Sequence, residues 1–330
     1  MKLPPRISIC IPVKNTEPVL QNCLDSVAMQ EFEGLEIVLI NDNSTGKNEK
    51  GYSCKKIARR FQKASKIPVT YIEHYNYVPL TETRRELVEH AKGEYILMVD
   101  SDDRLAPDAL KILYEAAQNS DSDITCGQDK YFEVNKEKEL KFIKNILTVH
   151  TQGLLKDREI LDSWLVRHES SGFLWAKLIK RDLYLKAFDS IPYMDCSFAE
   201  DTIIYFFLAL YAKTYIGIED TVYYYNYNVG VTSAKAITDL TQWERQCSSA
   251  SNYAVMLQLT NQLTPEETAA LQKLSRNSLY GLVDRLNTLV DKSIYPQAYD
   301  ILCEYWGKDF VEKVYGALRG VPAGKVDEKL

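Results

Sequence analysis

The sequence has no glycine-rich phosphate loop. Neither GxGxxG nor GxxxxGK followed by Ser or Thr occurs in its 330 residues. That excludes a standard dinucleotide fold and a P-loop protein. It has no CxxC pair: Cys10, Cys23, Cys54, Cys126, Cys196, Cys247 and Cys303 are scattered and odd in number. Such spacing predicts free thiols in a reducing compartment. The four histidines lie far from one another, so no zinc site is expected. There is no long lysine or arginine run of the kind that tracks a phosphate backbone, and the formal charge is −6. Nucleic acid is therefore not expected as the main partner. The longest apolar run, Ile203 to Ala212, is too short to span a bilayer. The apolar stretch Ile7 to Val13 contains Pro12 and is followed by Lys14 and Asn15, unlike a signal peptide. The expectation is a cytoplasmic protein, free or peripheral at the inner face of the membrane.

What is present is an alternation of strands and helices at roughly thirty-residue spacing, the pattern of a doubly wound, mostly parallel α/β sheet. Ile7 to Val13 reads as the first strand. Thr16, Glu17 and Pro18 start a helix with Leu20, Leu24 and Val27 on one face. Leu35 to Ile40 is the second strand, ending in the turn formers Asn41-Asp42-Asn43-Ser44. Lys47 to Lys66 reads as a basic helix with Ile57 and Phe61 facing in. Val69 to Ile72 is a strand, and Glu82 to Ala91 a helix stopped at Gly93.

Gly93 to Asp103 organises the rest. Tyr95 to Val99 is an apolar strand that ends in Asp100, Asp102 and Asp103, and Pro107 is expected in the first turn of the next helix. In a sheet of this kind, ligands bind in the crevice outside the carboxyl ends of the strands. Asn15, Asp42 and Asp102 would line one such crevice. Three clustered acids repel one another unless a cation lies among them, and oxygen ligands suit Mg²⁺ or Mn²⁺ shared with phosphates. Alternatively, the acids form a turn that caps a helix.

Six segments then match a known family in order. The run Ile7 to Asn15, the helix containing Cys23-Leu24-Asp25-Ser26-Val27, the strand Ile37 to Ser44, Thr83-Arg84-Arg85, Asp100-Ser101-Asp102-Asp103 and Glu200-Asp201 resemble the corresponding motifs of the inverting family 2 glycosyltransferases of the GT-A fold. The resemblance covers residues 7 to about 233. It implies transfer of a sugar from a nucleotide diphosphate sugar, with UDP as the usual nucleotide, to a hydroxyl of a glycan or lipid-linked acceptor. It implies that Asp102, with Asp100, holds Mn²⁺ or Mg²⁺. It implies that Pro12, Val13, Asn15, Glu17, Asn41, Asp42, Arg84, Asp100 and Ser101 contact the donor. Asp201 matches the general base, and Glu200, Trp175 and Lys177 its support or acceptor contacts. Ser197 and Glu200 also read as a capping box, and Trp175 also reads as a core residue. Tyr225 and Ser233 belong to a lid over the nucleotide or to core and loop. The family usually has Asp where this chain has Asn41. Arg85 replaces a usual Asn, which implies a phosphate contact or an exposed charge.

Two other classes compete. A nucleotidyltransferase would share the sheet and the acidic site but would carry a glycine-rich basic loop near the first strand. An inert sugar-binding or scaffold protein would have no need of both Asp102 and Asp201. The domains expected are 1–236, a catalytic domain with nucleotide-sugar half 1–128 and acceptor half 129–236, and 237–330, a helical subdomain. In the latter, Thr238 onward is amphipathic. Those helices complete the catalytic domain, or meet a membrane or a second subunit.

Overall fold

The computed structural model describes residues 5–132, 151–226 and 236–318. The charged stretch Lys136 to Lys144 and Ser233 lie outside the described residues. The chain divides into two compact units, one of residues 1–192 and 204–233, the other of 193–203 and 234–330.

The first unit is built on a nine-stranded sheet. Its strands are β1 (Ile7–Val13), β2 (Leu35–Asp42), β3 (Val69–His74), β4 (Tyr95–Met98), β5 (Arg104–Leu105), β6 (Ile124–Phe132), β7 (Gly153–Lys156), β8 (Lys177–Lys180) and β9 (Thr214–Asn226). Their order is β3-β2-β1-β4-β8-β6-β9-β5, with β7 also on β9. The first four run parallel. Ile9 sits between Ile37 and Leu97, and all three are fully buried. Continuous Ile, Val and Leu runs are what parallel strands covered on both faces require. Beyond β4 the sheet is mixed, since β8 lies antiparallel to both β4 and β6 while β6 and β9 are parallel.

The helices of this unit are α1 (Glu17–Ala28), α2 (Cys54–Ser65), α3 (Leu80–His90), α4 (Ala109–Ser120), α5 (Arg158–Leu165) and α6 (Arg181–Ser190). The long α7 (Glu200–Tyr211) has its first turn in the second unit and the remainder in the first. Three starts differ from expectation. The basic helix begins at Cys54 rather than Lys47, because Asn48 Oδ1 accepts from the backbone N–H groups of Lys50 and Tyr52 at 3.0 and 2.9 Å. That local bonding holds a turn and competes with a helix. Pro107 precedes α4 instead of entering its first turn, since Asp108 has φ 57°. The helix expected to open at Ser197 begins at Glu200, directly after Ala199 at φ 55°.

The second unit contains α8 (Leu240–Cys247), α9 (Ala250–Met256), a 3₁₀ turn (Leu257–Gln262), α10 (Pro265–Thr288), α11 (Tyr295–Trp306) and α12 (Lys308–Leu318). A capping box, Thr264 with Glu267, opens α10. The buried face of α10 carries Leu271, Leu279, Leu282, Val283 and Leu286 at helical spacing. Trp243 is fully buried and donates its indole N–H to the Ala298 carbonyl at 2.8 Å. The stretch from Tyr295 to Leu318 forms two helices, broken at Gly307 with φ 82°. Among the described residues no helix is long and apolar enough to cross a membrane.

Candidate active site

Parallel pairing puts the carboxyl ends of β1, β2 and β4 side by side, and side chains tie them. Lys14 Nζ lies 2.6 Å from Asp42 Oδ2. The other Asp42 oxygen is 3.5 Å from His74 Nδ1, and His74 Nε2 is 2.8 Å from Glu86. Asn15, at φ 54°, binds the loop after β2 twice, its N–H donating to Ser44 Oγ at 2.9 Å and its Oδ1 accepting from Thr45 N at 3.2 Å. Asn41 is buried. Its Oδ1 accepts from Ser44 N at 3.2 Å. Thr16 Oγ1 and Ser101 Oγ are 2.6 Å apart, which joins the end of β1 to the acidic loop.

Pro12 and Val13 close β1, with Val13 fully buried. Glu17 opens α1, where the helix dipole favours its charge. Its side chain is buried, and neither carboxylate oxygen has a hydrogen-bond partner among the described residues. It faces Gly46 so closely that a Cβ there would fall 2.6 Å from its Oε2.

The three acids of the central loop have three different environments. Asp100 is paired with the buried Arg84, Nη2 to Oδ1 at 3.1 Å. Asp103 accepts from the Tyr223 hydroxyl and from Asn226 N, each at 2.7 Å, and burial pushes its carboxyl well up. Tyr223 also accepts from Asp100 N at 3.1 Å, and Asn226 Nδ2 donates to the Asp102 carbonyl at 3.1 Å. Asp102 has no cationic partner among the described residues. Burial, then the Asp100 charge, pushes its carboxyl up to about 7. No group of three or more metal-ligating side chains occurs among the described residues. A cation here would take at most two carboxylates from this loop and complete its shell with other oxygens. That donor set suits Mg²⁺ or Mn²⁺ carrying phosphate and water.

The remaining expected residues stand on later elements of the chain. Trp175 is 4% exposed and stacks on Phe173 and Tyr223, with ring centroids 4.8 and 5.2 Å away. Lys177 is fully buried, donating to Phe173 O at 2.7 Å and Ser171 Oγ at 3.1 Å. Both brace the wall of the first unit. Tyr225 joins the same aromatic group, 5.8 Å from Trp175. Glu200, buried, and Asp201 open α7 in the second unit. There Asn252 Nδ2 donates to Ala199 O at 2.8 Å and Ser197 N to Ser248 Oγ at 3.1 Å.

Arg85 is not a loose charge. It bonds Glu82 at 2.7 Å and donates to the carbonyls of Phe188 and Ile191, closing the end of α6. Sequence reasoning also passes over Tyr223 and Asn226, whose partners lie more than a hundred residues earlier. The tyrosine-rich run of β9 is the one signal pointing to them.

Residues 8–182 match the family model for glycosyl transferase family 2. Glycosyltransferase GlyA of Streptococcus pneumoniae is 27% identical over 183 residues, 54% of this chain and 25% of that protein. The poly(ribitol-phosphate) beta-glucosyltransferase of Bacillus spizizenii is 33% identical over 164 residues, 46% of this chain and 25% of that protein. The match thus spans about a quarter of each of these relatives. The crystal structure of S. aureus TarS 1-349 in complex with UDP-GlcNAc superposes with a TM-score of 0.59 at 17% identity, covering 96% of this chain and 92% of that one. That likeness establishes the GT-A fold: a mixed sheet between helices, followed by carboxyl-terminal helices. The sheet-edge loop of Asp100, Asp102 and Asp103 thus lies inside a matched segment that covers more than half of the chain, and the chain belongs to glycosyl transferase family 2.

Proposed function

We propose that the protein transfers a sugar, with inversion, from a UDP-sugar to a hydroxyl of a glycan or lipid-linked acceptor in surface polysaccharide or glycoconjugate synthesis. The observation that carries this reading is the division of labour in the acidic loop. Asp103 is consumed by the neutral Tyr223 hydroxyl and Asn226 N–H, Asp100 is shared with Arg84, and the Asp102 carboxylate has neither kind of partner among the other described residues. Asp102 and Asp100 would hold Mn²⁺ or Mg²⁺, and such an ion supplies Lewis-acid stabilisation of a departing nucleoside diphosphate. Arg84 places a second positive charge on the same carboxylate pair and can meet the diphosphate.

The nucleotide half is the end of β1 and β2. Pro12, Val13 and Asn15 supply backbone and wall. Asp42, steered by Lys14 and His74, supplies the acceptor for a base N–H, because the buried Asn41 already uses its amide oxygen to accept from Ser44 N. Glu17 braces the loop at Gly46, and Ser101 is set by Thr16. On the acceptor side Asp201 takes the proton of the attacking hydroxyl as the new bond forms, and Glu200 supports it. Trp175 and Lys177 act from within the core, by holding the segment 171–175. Functionally, residues 1–236 form the catalytic domain and 237–330 a helical subdomain that completes it.

The test is a panel of nucleotide sugars with Mn²⁺, an acceptor mixture and product analysis. Release of a nucleoside diphosphate with loss of the sugar to the acceptor is expected. Release of pyrophosphate would assign a nucleotidyltransferase instead. No turnover with any donor, in protein that binds a sugar, would assign an inert sugar-binding protein.

A further inference from the structure

The second helix of the sheet, α2, breaks local rules in a concerted way. Residues 47–66 contain eight lysines and arginines and one acid, Glu49, in a chain whose formal charge is −6. The helix carries no acid in its first turn, where the dipole favours one, and places Lys55 and Lys56 there instead. Cys54, Ile57, Ala58 and Phe61 are buried at helical spacing and face the core. Lys56, Arg59, Arg60 and Lys63 repeat the same spacing two residues on, so they run along the opposite side and are exposed. Like charges so spaced repel along the helix.

Neutralising partners are scarce. Lys55 pairs with Glu73 at 2.8 Å. Lys47, Lys50, Lys56, Arg59, Arg60, Lys63 and Lys66 have no carboxylate partner among the described residues. Lys56 and Arg60 instead lie over the Tyr52 ring, at 4.0 and 5.0 Å. A sequence that keeps several unfavourable local choices with so little internal compensation points to an external partner.

We propose that this ridge is a docking surface for an anionic lipid bilayer. The apolar stripe of α2 is used up in the core, so the helix cannot insert, and the contact is with headgroup phosphates alone. The ridge is a line of exposed side chains on a helix surface, and the Tyr52 ring beside it is covered by cations. A single-stranded polyanion calls for a groove with open stacking faces, whereas a planar charged surface meets a line of cations directly. The contact is independent of the helices after residue 237 and of the reading of the active site.

The experiment is flotation of the full chain with vesicles of phosphatidylglycerol and phosphatidylcholine in equal parts, against vesicles of phosphatidylcholine alone. Binding to the anionic vesicles only is expected, lost in about 1 M salt, where the screening length is about 3 Å. The triple variant Lys56→Gln, Arg59→Gln, Lys63→Gln should partition about a hundredfold less, with its melting temperature and far-ultraviolet circular dichroism unchanged. A control variant, Lys273→Gln with Lys292→Gln, should bind vesicles as the wild type does. Failure to bind anionic vesicles at low salt, equal binding to both vesicle types, or unchanged binding by the triple variant overturns the proposal. So does binding to soluble polyphosphate without binding to vesicles, which would assign the ridge to an anionic polymer.

Discussion

Two acidic turns of this chain look alike on paper. Asp100-Ser101-Asp102-Asp103 and Glu200-Asp201 both put adjacent carboxylates shortly before or at the start of a helix. In the structure they are built differently. The first is a loop at the sheet edge, gripped from three directions: Arg84 on α3, Thr16 beside α1, and Tyr223 with Asn226 on β9. The second is the opening of a helix, set by the left-handed Ala199 before it and by Asn252, which holds the Ala199 carbonyl. Carboxylates in the first turn gain from the dipole whatever else they do, while a carboxylate inside a polar loop has the work its partners leave it. The loop therefore carries its own evidence of a site. The role proposed for the helix start rests on the resemblance of Glu200-Asp201 in the sequence, since the family match ends at residue 182.

The sharpest way to break the comparison is to remove one carboxylate from each turn. Asp102→Asn should lower transfer about a thousandfold or more, the loss of several kcal/mol of charge stabilisation, and should also remove metal-dependent nucleotide binding. Asp201→Asn should lower transfer by about 10²- to 10⁴-fold and leave nucleotide affinity unchanged, the pattern of a group used only in the chemical step. Steady-state kinetics and calorimetry on the two variants check both. Near-normal turnover of Asp201→Asn would reduce that residue to a helix-dipole role.

The next effect is on stability. Trp175→Ala should cost about 3–5 kcal/mol in denaturant unfolding, because its ring is buried in the Phe173–Tyr223 stack. A small stability change with a large rise in acceptor KM would make it a sugar platform instead. Tyr223→Phe should cost about 1–3 kcal/mol, since the buried Asp103 carboxyl loses a hydrogen bond. A neutral outcome would show that Asn226 alone satisfies it.

The smallest effect is a pH slope. Asp102 titrates near its ordinary 3.8 when unfolded and is pushed up to about 7 in the folded, metal-free protein. A carboxyl raised on folding stabilises fully below the unfolded value and loses that contribution as pH rises through the folded one. With chelator present, the melting temperature should therefore fall from about pH 4 to pH 7 more steeply in wild type than in Asp102→Asn. Parallel slopes would contradict this.

The parallel half of the fold is legible in the sequence because strands covered on both faces write unbroken apolar runs, as Ile7 to Val13 and Tyr95 to Val99 do. Helix starts are less legible. Asn48 and Ala199 shift them through a side-chain turn and a left-handed backbone, neither of which alters hydrophobic spacing. The two-residue β5 is too short to leave a pattern. In the site, the acids themselves can be read, but which acid stays available cannot. That is decided by Tyr223 bonding to Asp103, 120 residues apart in the chain, and by β9 lying beside β6 and β5. The role of Arg85 is hidden for the same reason, since its carbonyl partners are at the end of α6.

The central claim is that the acidic loop at the end of β4 binds a nucleoside diphosphate through a metal ion held by Asp102. Titration calorimetry of UDP into the full chain, with Mn²⁺ and with chelator, tests it most directly. The account predicts binding in Mn²⁺, loss of binding in chelator, and loss in Asp102→Asn even with Mn²⁺, while Asp201→Asn binds as wild type. UDP binding that is indifferent to both chelator and Asp102→Asn would contradict it.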